Sequence, residues 1–203
     1  MTKFGLIDYK VGNIKSLINS FHHLGCKIEI IDDPNKIKLF DKILLPGVGN
    51  FDYAIKQLKE LKFIDELNEY VFKEKLILGI CLGMQLMCKS SDESKSHGLG
   101  WIDAEVIDLK KKIDKKFNIP HIGWNTVTHN EDIDILNNIP SKSDFYFVHS
   151  YGVFINERIK VAKTSYGIEF NSAFQKKNIY GVQFHPEKSH KMGLKLIENF
   201  IKK

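Results

Sequence analysis

Short apolar runs alternate with longer amphipathic stretches through the first half of the chain. The apolar runs are typical of buried strands and cover residues 3–8, 27–31, 42–45 and 76–80. Apolar residues at helical spacing predict helices over residues 13–24, 51–61, 65–74 and 82–89, and Gly25 is placed to end the first of them. Strands that alternate with helices in this way indicate an α/β domain with a largely parallel sheet.

The second half of the chain is richer in strand patterns. These cover residues 104–109, 126–128, 145–148, 153–155, 161–164 and 180–184, and a helix over residues 192–203 closes the chain. Residues 90–98 form a polar loop between the halves. No repeat or linker divides the chain, so we expect one domain over residues 1–203. The predicted fold is α/β, with a mostly parallel open sheet flanked by helices and extra antiparallel strands in the second half.

Composition narrows the class of protein without identifying it. The 203 residues are 43% apolar and 27% charged, as in ordinary globular domains. No run of about 18 apolar residues could cross a membrane, and residues 1–8 lack the long apolar core of a signal peptide. The three cysteines include no C-x-x-C pair, so we expect a cytoplasmic protein without a metal site. The net charge of +5 is scattered, which favours a solvated surface over a nucleic-acid interface.

The segment around Cys81 has the pattern of a nucleophile elbow. An apolar strand leads into G-x-C-x-G, with Gly79 and Gly83 on either side of Cys81, and an apolar helix follows. Larger residues at the two glycines would collide with the neighbouring strand and helix, and the helix N-terminus would favour the thiolate. The amide of Leu82 would then be an oxyanion donor. The alternative is a buried structural cysteine, which is the favoured interpretation for the other two cysteines.

A thiol nucleophile needs a general base, and His185 has the most suitable surroundings among the eight histidines. It follows the apolar run at residues 179–184, and one proline separates it from Glu187. Residues i and i+2 of an extended segment point to the same side, so Glu187 could orient the imidazole. Alone, His-Pro-Glu is equally compatible with a surface turn. Together with the elbow upstream, it predicts a Cys–His–Glu triad.

These motifs together resemble the class I (triad) glutamine amidotransferase family. Gly-Ile-Cys-Leu-Gly-Met-Gln with a distant Gln-Phe-His-Pro-Glu carries the resemblance, and Pro-Gly-Val-Gly at residues 46–49 is similar to the oxyanion strand of that family. Residues 8–13, 120–125, 146–151 and 185–189 are similar to one branch of the family, the glutaminase subunits of imidazole glycerol phosphate synthases. The resemblance covers essentially the whole chain and implies a flavodoxin-like sheet.

The resemblance implies a role for each matching residue. Cys81 would attack the side-chain amide of L-glutamine, His185 would transfer protons, and Glu187 would orient His185. The second oxyanion donor would lie in the turn at residues 47–49, so the candidate amides are those of Leu82, Val48 and Gly49. The resemblance implies no cofactor and no metal. It also implies a glutamine pocket, formed by Gln85, Glu93, His149, Ser150 and Tyr151.

A partner enzyme is also implied by the resemblance. In this branch of the family, ammonia passes to a separate (β/α)8-barrel cyclase, the heterodimer partner, which closes an imidazole ring during histidine biosynthesis. Asn13, Trp124 and Lys188 would lie towards that partner, although core packing is an equal alternative for Trp124. His121, in the same motif as Trp124, is interpreted as structural rather than catalytic.

Departures from the family pattern keep alternatives open. Lys10 stands where the family commonly has glycine, and residues 100–104 differ from its usual small-residue pattern. A paralogue could therefore supply ammonia to a different barrel, such as a surface-sugar amidotransferase. A self-sufficient hydrolase of the same fold would act without a partner, and a non-catalytic binding subunit would not need the triad.

Overall fold

Strands alternate with one or two helices or helical turns up to residue 86, and strands dominate after it. The computed structural model describes residues 2–130 and 132–203, so Met1 and Glu131 of the expected single domain lie outside the described residues. The strands are β1 Phe4–Ile7, β2 Ile28–Ile31, β3 Lys42–Leu45, β4 Leu76–Ile80, β5 Cys88–Ser91, β6 Ile102–Asp108, β7 His121–His129, β8 Ser143–His149, β9 Tyr151–Ile155, β10 Lys160–Ser165, β11 Glu169–Lys176 and β12 Ile179–Val182. The α-helices are α1 Ile14–His23, α2 Phe51–Glu60, α3 Phe63–Phe72, α4 Leu82–Leu86 and α5 His190–Lys202, and 3-10 turns lie at Pro34–Leu39, Leu109–Lys111, Asp134–Leu136 and Pro186–Lys188.

Five neighbouring strands form the parallel part of the sheet, in the order β2-β1-β3-β4-β12. Every residue of β1, β3 and β12 is buried, which explains why these strands, apart from Lys42 at the start of β3, lack charged residues. Their carboxyl ends lie along one edge of the sheet. In open parallel sheets this is the edge at which ligands bind.

The antiparallel part continues from β12 in the order β11-β10-β7-β8. A branch runs from β11 through β9 to β6, which is joined by the parallel strand β5. The predicted α/β class, with a parallel core and extra antiparallel strands in the second half, is confirmed. The antiparallel part is, however, larger than the sequence predicted, because β7 is longer and β11 was not predicted.

Two hydrophobic clusters cover the two faces of the parallel part. Alternate residues of β3 belong to different clusters, with Ile43 and Leu45 in one and Leu44 in the other. The first cluster includes Phe51 of α2 and Phe63 of α3, and the second includes residues of α1 and α5. The chain therefore forms three layers, helices on both faces of the sheet. No helix among residues 2–130 and 132–203 is long and apolar enough to cross a membrane.

The helix predicted over residues 82–89 is wrong in its second half. α4 ends at Leu86, and β5 begins at Cys88. The carbonyls of Leu86 and Cys88 accept the amides of Leu99 (2.7 Å) and Gly100 (3.3 Å) instead of amides one turn further along a helix. Pairing between β5 and β6 then replaces helical hydrogen bonds. Ser90 and Ser91 have little preference for a helix, so this segment extends as a strand.

Candidate active site

The candidate site forms where three parallel strands end side by side. Cys81 follows β4 directly, the Pro-Gly-Val-Gly turn at residues 46–49 follows β3, and His185 lies three residues beyond β12. Because β3, β4 and β12 are adjacent and parallel, their carboxyl ends bring these three segments to the same edge. The sheet topology therefore assembles residues that are far apart in the chain.

Cys81 sits on a strained turn between β4 and α4. Its backbone has φ 53° and ψ −110°, in the left-handed half of conformational space that side chains rarely adopt. A Cβ on Gly83 would lie 1.8 Å from the carbonyl oxygen of Leu45, and one on Gly79 would lie 2.8 Å from that of Gly83. The two glycines therefore allow the elbow to pack against β3, as the sequence pattern predicts.

His185 and Glu187 form a buried pair. Nδ1 of His185 lies 2.8 Å from Oε1 of Glu187, and both side chains are 3% exposed. Since the carboxylate accepts, Nδ1 donates, and Nε2 makes no hydrogen bond to Glu187. Burial opposes charge on the ring, but the adjacent Cys81 sulfur and Glu187 carboxylate outweigh it and raise the pKa of His185 to about 10. We therefore expect an imidazolium at neutral pH, next to the sulfur.

Short hydrogen bonds fix the backbone of the His-Pro-Glu segment. The amide of His185 donates to the carbonyl of Tyr146 at 2.9 Å, and its carbonyl accepts from the hydroxyl of Ser189 at 2.6 Å. The hydroxyl oxygen of Ser189 in turn accepts the amide of Tyr146 at 3.0 Å. The position of the imidazole is therefore set by β8 as well as by its own segment.

A cavity of about 340 Å³ opens in front of Cys81 and His185. Its size is at the small end of the range for small-molecule sites. Glu187 lies behind His185 and does not line the cavity. Pro120 and Val148 line the cavity, although neither was predicted as a site residue. All the other lining residues were predicted: Val48, Gly49, Cys81, Leu82, Gln85, Glu93, His149, Ser150, Tyr151 and His185.

The turn that carries Val48 and Gly49 is held from below by Tyr9. The buried Tyr9 hydroxyl donates to the carbonyl of Pro46 at 2.7 Å, and burial raises the pKa of that hydroxyl far above its ordinary value. Gly49 has φ 100°, a conformation suited to glycine. Both turn residues and Leu82 border the same cavity, as an oxyanion site next to Cys81 requires.

Glu93 connects the cavity with the N-terminus of α2. Its Oε2 accepts the amide of Phe51 at 2.8 Å, which is favourable at the positive end of a helix dipole. Asp52, one residue further on, accepts the hydroxyls of Ser94 and Ser96. The loop that carries Glu93 is thus fastened to α2, and Glu93 brings a carboxylate to the cavity wall.

His149 is part of a chain of neutral histidines. Its Nδ1 lies 2.8 Å from the carbonyl of Tyr151, which can only accept, so Nδ1 donates and Nε2 accepts from Nδ1 of His121 at 2.9 Å. Burial lowers the pKa of His149 to about 3 and that of His121 to about 4. Both are therefore neutral at pH 7. His121 does not line the cavity, and its ring stacks between Phe147 and Tyr166.

The three residues predicted to face a partner are exposed. Asn13 and Lys188 lie at the surface, and Trp124 is 48% exposed and stacked on His190 at 5.0 Å between ring centroids. The alternative that Trp124 packs in the core is therefore wrong. Nζ of Lys188 lies 5.7 Å from the ring centroid of Tyr146, whose ring also contacts Trp124, so Lys188 and Trp124 belong to one exposed cluster.

Gln183 belongs to the Gln-Phe-His-Pro-Glu motif but was not predicted to be part of the site. It is completely buried, and its Nε2 lies 3.7 Å from the Cys81 sulfur. Its Oε1 accepts from Nε2 of Gln85 at 3.0 Å. The signal in the sequence was a polar residue inside the apolar run before His185.

Within residues 2–130 and 132–203, no group of three or more histidine, cysteine or acidic residues could hold a metal ion.

Relatives of known name match the chain over nearly its whole length. The family described as glutamine amidotransferase class-I matches residues 5–203. The chain is 49% identical to imidazole glycerol phosphate synthase subunit HisH 2 of Methanococcus maripaludis, over 97% of this chain and 98% of that protein. It is 46% identical to subunit HisH 1 of Campylobacter jejuni, with the same two coverages.

Solved structures with little sequence identity share the fold. PurLQS from Thermotoga maritima superposes with a TM-score of 0.77 at 16% identity, over 99% of this chain and 98% of that chain. The glutaminase domain of Trypanosoma brucei CTPS with bound acivicin gives a TM-score of 0.67 at 17% identity, over 100% and 95% of the two chains. At these identities the likeness concerns the fold alone.

Proposed function

The chain belongs to the class I glutamine amidotransferase family, and from this we propose that it is the glutaminase subunit of an imidazole glycerol phosphate synthase. The family expected from the sequence motifs is confirmed. The observation that carries the site assignment is the convergence of Cys81, the buried His185–Glu187 pair and the 46–49 turn on one cavity. The proposal treats residues 1–203 as one glutamine amidotransferase domain.

The first half of the proposed reaction releases ammonia. The Cys81 sulfur attacks the side-chain amide carbon of glutamine, and the electron pair of the carbonyl moves to its oxygen. The amides of Leu82 and of Val48 or Gly49 stabilise this oxyanion, and one such donor is typically worth a factor of about 10²–10³ in rate. The imidazolium of His185 gives its Nε2 proton to the departing nitrogen. The C–N bond breaks, ammonia leaves and a thioester remains.

The second half restores the enzyme. A water molecule attacks the thioester carbon while Nε2 of His185 accepts one of its protons. The tetrahedral intermediate collapses, the C–S bond breaks, and glutamate leaves with the Cys81 sulfur again a thiolate beside the imidazolium. Glu187 stabilises the charged ring in both halves, because its carboxylate lies 2.8 Å from Nδ1. The sum of the two halves is glutamine plus water to glutamate plus ammonia.

Glutamine binding is assigned to the cavity wall opposite His185. The Glu93 carboxylate is placed to pair with the α-ammonium group of the substrate. The segment of His149, Ser150 and Tyr151 borders the same cavity, and we assign its backbone to the α-carboxylate. Gln85 also borders it, although both of its amide hydrogens are used by the protein, so we assign it to shaping the pocket.

The proposed partner is a (β/α)8-barrel cyclase subunit in a heterodimer. Support comes from the exposed cluster of Trp124 and Lys188, from exposed Asn13, and from relatives named as synthase subunits. A large exposed aromatic residue stacked on a neighbour is typical of interface anchors.

All three cysteines are free thiols, which supports the proposed cytoplasmic location.

The test is glutamate release from glutamine by the purified chain, alone and with a histidine-pathway cyclase barrel plus the ligand of that barrel. Cys81→Ala should abolish release, whereas Cys26→Ala, at a partly buried thiol outside the cavity, should not. Strong stimulation by the cyclase barrel supports the proposal. Stimulation only by another barrel would favour the paralogue, and full activity without any partner would favour a self-sufficient hydrolase. Glutamate release that survives Cys81→Ala would refute the triad.

A further inference from the structure

Gln183 is the closest polar side chain to the nucleophile that the proposed mechanism leaves unused. It lies one residue beyond β12, which pairs with β4 directly below Cys81. The backbone amide of Gln183 donates to the carbonyl of Ser172 at 2.8 Å, which ties it to β11. Its side chain is completely buried, so its amide must be satisfied inside the protein. The two partners of that amide are the Cys81 sulfur and Gln85.

The orientation of the Gln183 amide follows from a neighbouring carbonyl. The carbonyl of Tyr151 can only accept, and it lies 3.2 Å from the Gln85 amide group, so the nitrogen of Gln85 must face it. The same nitrogen lies 3.0 Å from the Gln183 amide group. Gln183 must therefore present its oxygen to Gln85. Its NH₂ group then points at the Cys81 sulfur, 3.7 Å away.

We propose that Gln183 is a further catalytic residue, whose side-chain amide donates a hydrogen bond to the Cys81 sulfur, stabilises the thiolate and aims it into the cavity. The inference rests on the proposed function, because it assigns Gln183 a part in the same reaction. A donor to an anionic acceptor is stronger than a neutral one, so the bond favours the thiolate over the thiol. In the thiol form the sulfur also reaches a carbonyl, that of Val148, at 3.9 Å.

The geometry separates the contribution of Gln183 from that of the triad. His185 approaches the sulfur as a charged group, backed by Glu187, and is the proton carrier. Gln183 cannot exchange protons at ordinary pH, so it can act on the sulfur only as a fixed donor. The other titratable groups around the sulfur are His149, Tyr9 and, across the cavity, Glu93. None of them is altered by a substitution at Gln183.

The experiment measures the alkylation rate of Cys81 by iodoacetamide between pH 5 and pH 10, in a Cys26→Ser background. Cys88 is fully buried, and burial raises its pKa far above the ordinary range, so Cys81 is the reporting thiol. Gln183→Met keeps the volume but removes the donor. We expect the midpoint of its profile to rise by about one pH unit, which is a tenfold lower rate below the midpoint. With the partner barrel, kcat/KM for glutamine should fall by a similar factor at pH values below that midpoint.

Two further variants complete the test. Gln183→Glu has the same shape and still accepts from Gln85, but it faces the thiolate with an oxygen, so its midpoint should rise further than that of Gln183→Met. If the methionine variant does not fold, the glutamate variant carries the test. Gln175→Met removes a partly buried amide that bonds Asp134 and Tyr180 and does not line the cavity, so this variant should keep the parental midpoint.

The outcomes distinguish this inference from the proposed function. Folded Gln183→Met and Gln183→Glu proteins with the parental profile would overturn the role of Gln183, even if the parent protein is an active glutaminase. An equal shift in Gln175→Met would also overturn it, because the effect would then be general. A parent protein that never releases glutamate would refute the proposed function, while the shift at Cys81 would still show the hydrogen bond to its sulfur.

Discussion

The neutral His121–His149 pair should make this fold sensitive to mild acid. Burial holds the folded-state pKa values at about 4 and about 3, below the ordinary histidine value of 6.5. When the pH falls below 6.5, the unfolded chain therefore binds protons that the folded chain does not. The stability that the pair contributes is fully present above pH 6.5 and is lost as the pH falls towards 4 and 3.

The size of the loss follows from these values. His149 has a folded-state pKa of about 3. At 1.36 kcal/mol per pH unit, it lowers the free energy of unfolding by about 2 kcal/mol between pH 7 and pH 5. His121 is only 2% exposed, but fewer protein atoms surround its ring than that of His149, so we reduce its share to about 1 kcal/mol. The sum of about 3 kcal/mol is a large part of the 5–15 kcal/mol that stabilises a typical domain.

Urea unfolding at pH 7 and pH 5 checks this prediction with three proteins. Between pH 7 and pH 5, the free energy of unfolding of the parent should fall by about 3 kcal/mol because of this pair. For His149→Phe the decrease should be about 2 kcal/mol smaller. The comparison between pH values cancels any fixed cost of the substitution. His22→Gln removes an exposed histidine of α1 and should behave as the parent does.

His185 acts with the opposite sign and does not disturb the comparison. Its folded pKa is raised to about 10, so its contribution to stability is fully present below pH 6.5 and is lost as the pH rises through 10. It is the same in the parent and in His149→Phe. Equal losses in these two proteins between pH 7 and pH 5 would refute the reasoning, because His149 would then titrate normally in the fold.

Four further substitutions test separate parts of the structure. Gly83→Ala places a methyl group 1.8 Å from the carbonyl oxygen of Leu45, so it should lower the free energy of unfolding, measured in urea, by more than about 4 kcal/mol. A small decrease would mean that the elbow relaxes. Gly49→Ala meets no atom within 4 Å but keeps φ 100°, so only about 2 kcal/mol should be lost. Glu187→Gln should lower kcat for glutamate release by about 10²–10⁴ with little change in KM, and a change confined to KM would contradict its orienting role. Lys10→Gly should raise the free energy of unfolding by about 0.5 kcal/mol, because glycine adopts a φ of 66° without strain. A decrease would show that the ion pair of this lysine outweighs the strain.

The elbow at Cys81 and the His185–Glu187 pair could be predicted because local patterns determine them. The spacing of Gly79, Cys81 and Gly83 describes one tight turn, and His185 and Glu187 are two residues apart in an extended segment. The rule that parallel strands end at one edge then brings these segments together without any long-range information. Lys10 fits the same logic, since its φ of 66° explains why glycine is common at this position.

The contacts that were missed depend on the register of antiparallel strands. His121 and His149 are 28 residues apart and meet only because the β7–β8 ladder pairs them directly. A shift of one residue would turn them to opposite faces, and the sequence does not specify that register by itself. β11 was missed for a related reason: buried Ser172 interrupts its apolar pattern, and only its position between β10 and β12 makes it a central strand. The role of Gln183 likewise required knowledge of which atom faces the sulfur.

The antiparallel extension connects the exposed cluster with the nucleophile. β7 and β8 pair Trp124 with Tyr146 at the surface and His121 with His149 at the end of the same ladder. His149 donates to the carbonyl of Tyr151, and that carbonyl also fixes the amide of Gln85, which in turn orients Gln183. His149 and Gln85 both donate to the carbonyl of Tyr151, and the direction of each other bond is fixed by its partners, so no member can reverse alone without leaving a buried group unpaired. The β7–β8 ladder thus carries both the exposed Trp124 and the histidine whose carbonyl partner fixes the donor at the Cys81 sulfur.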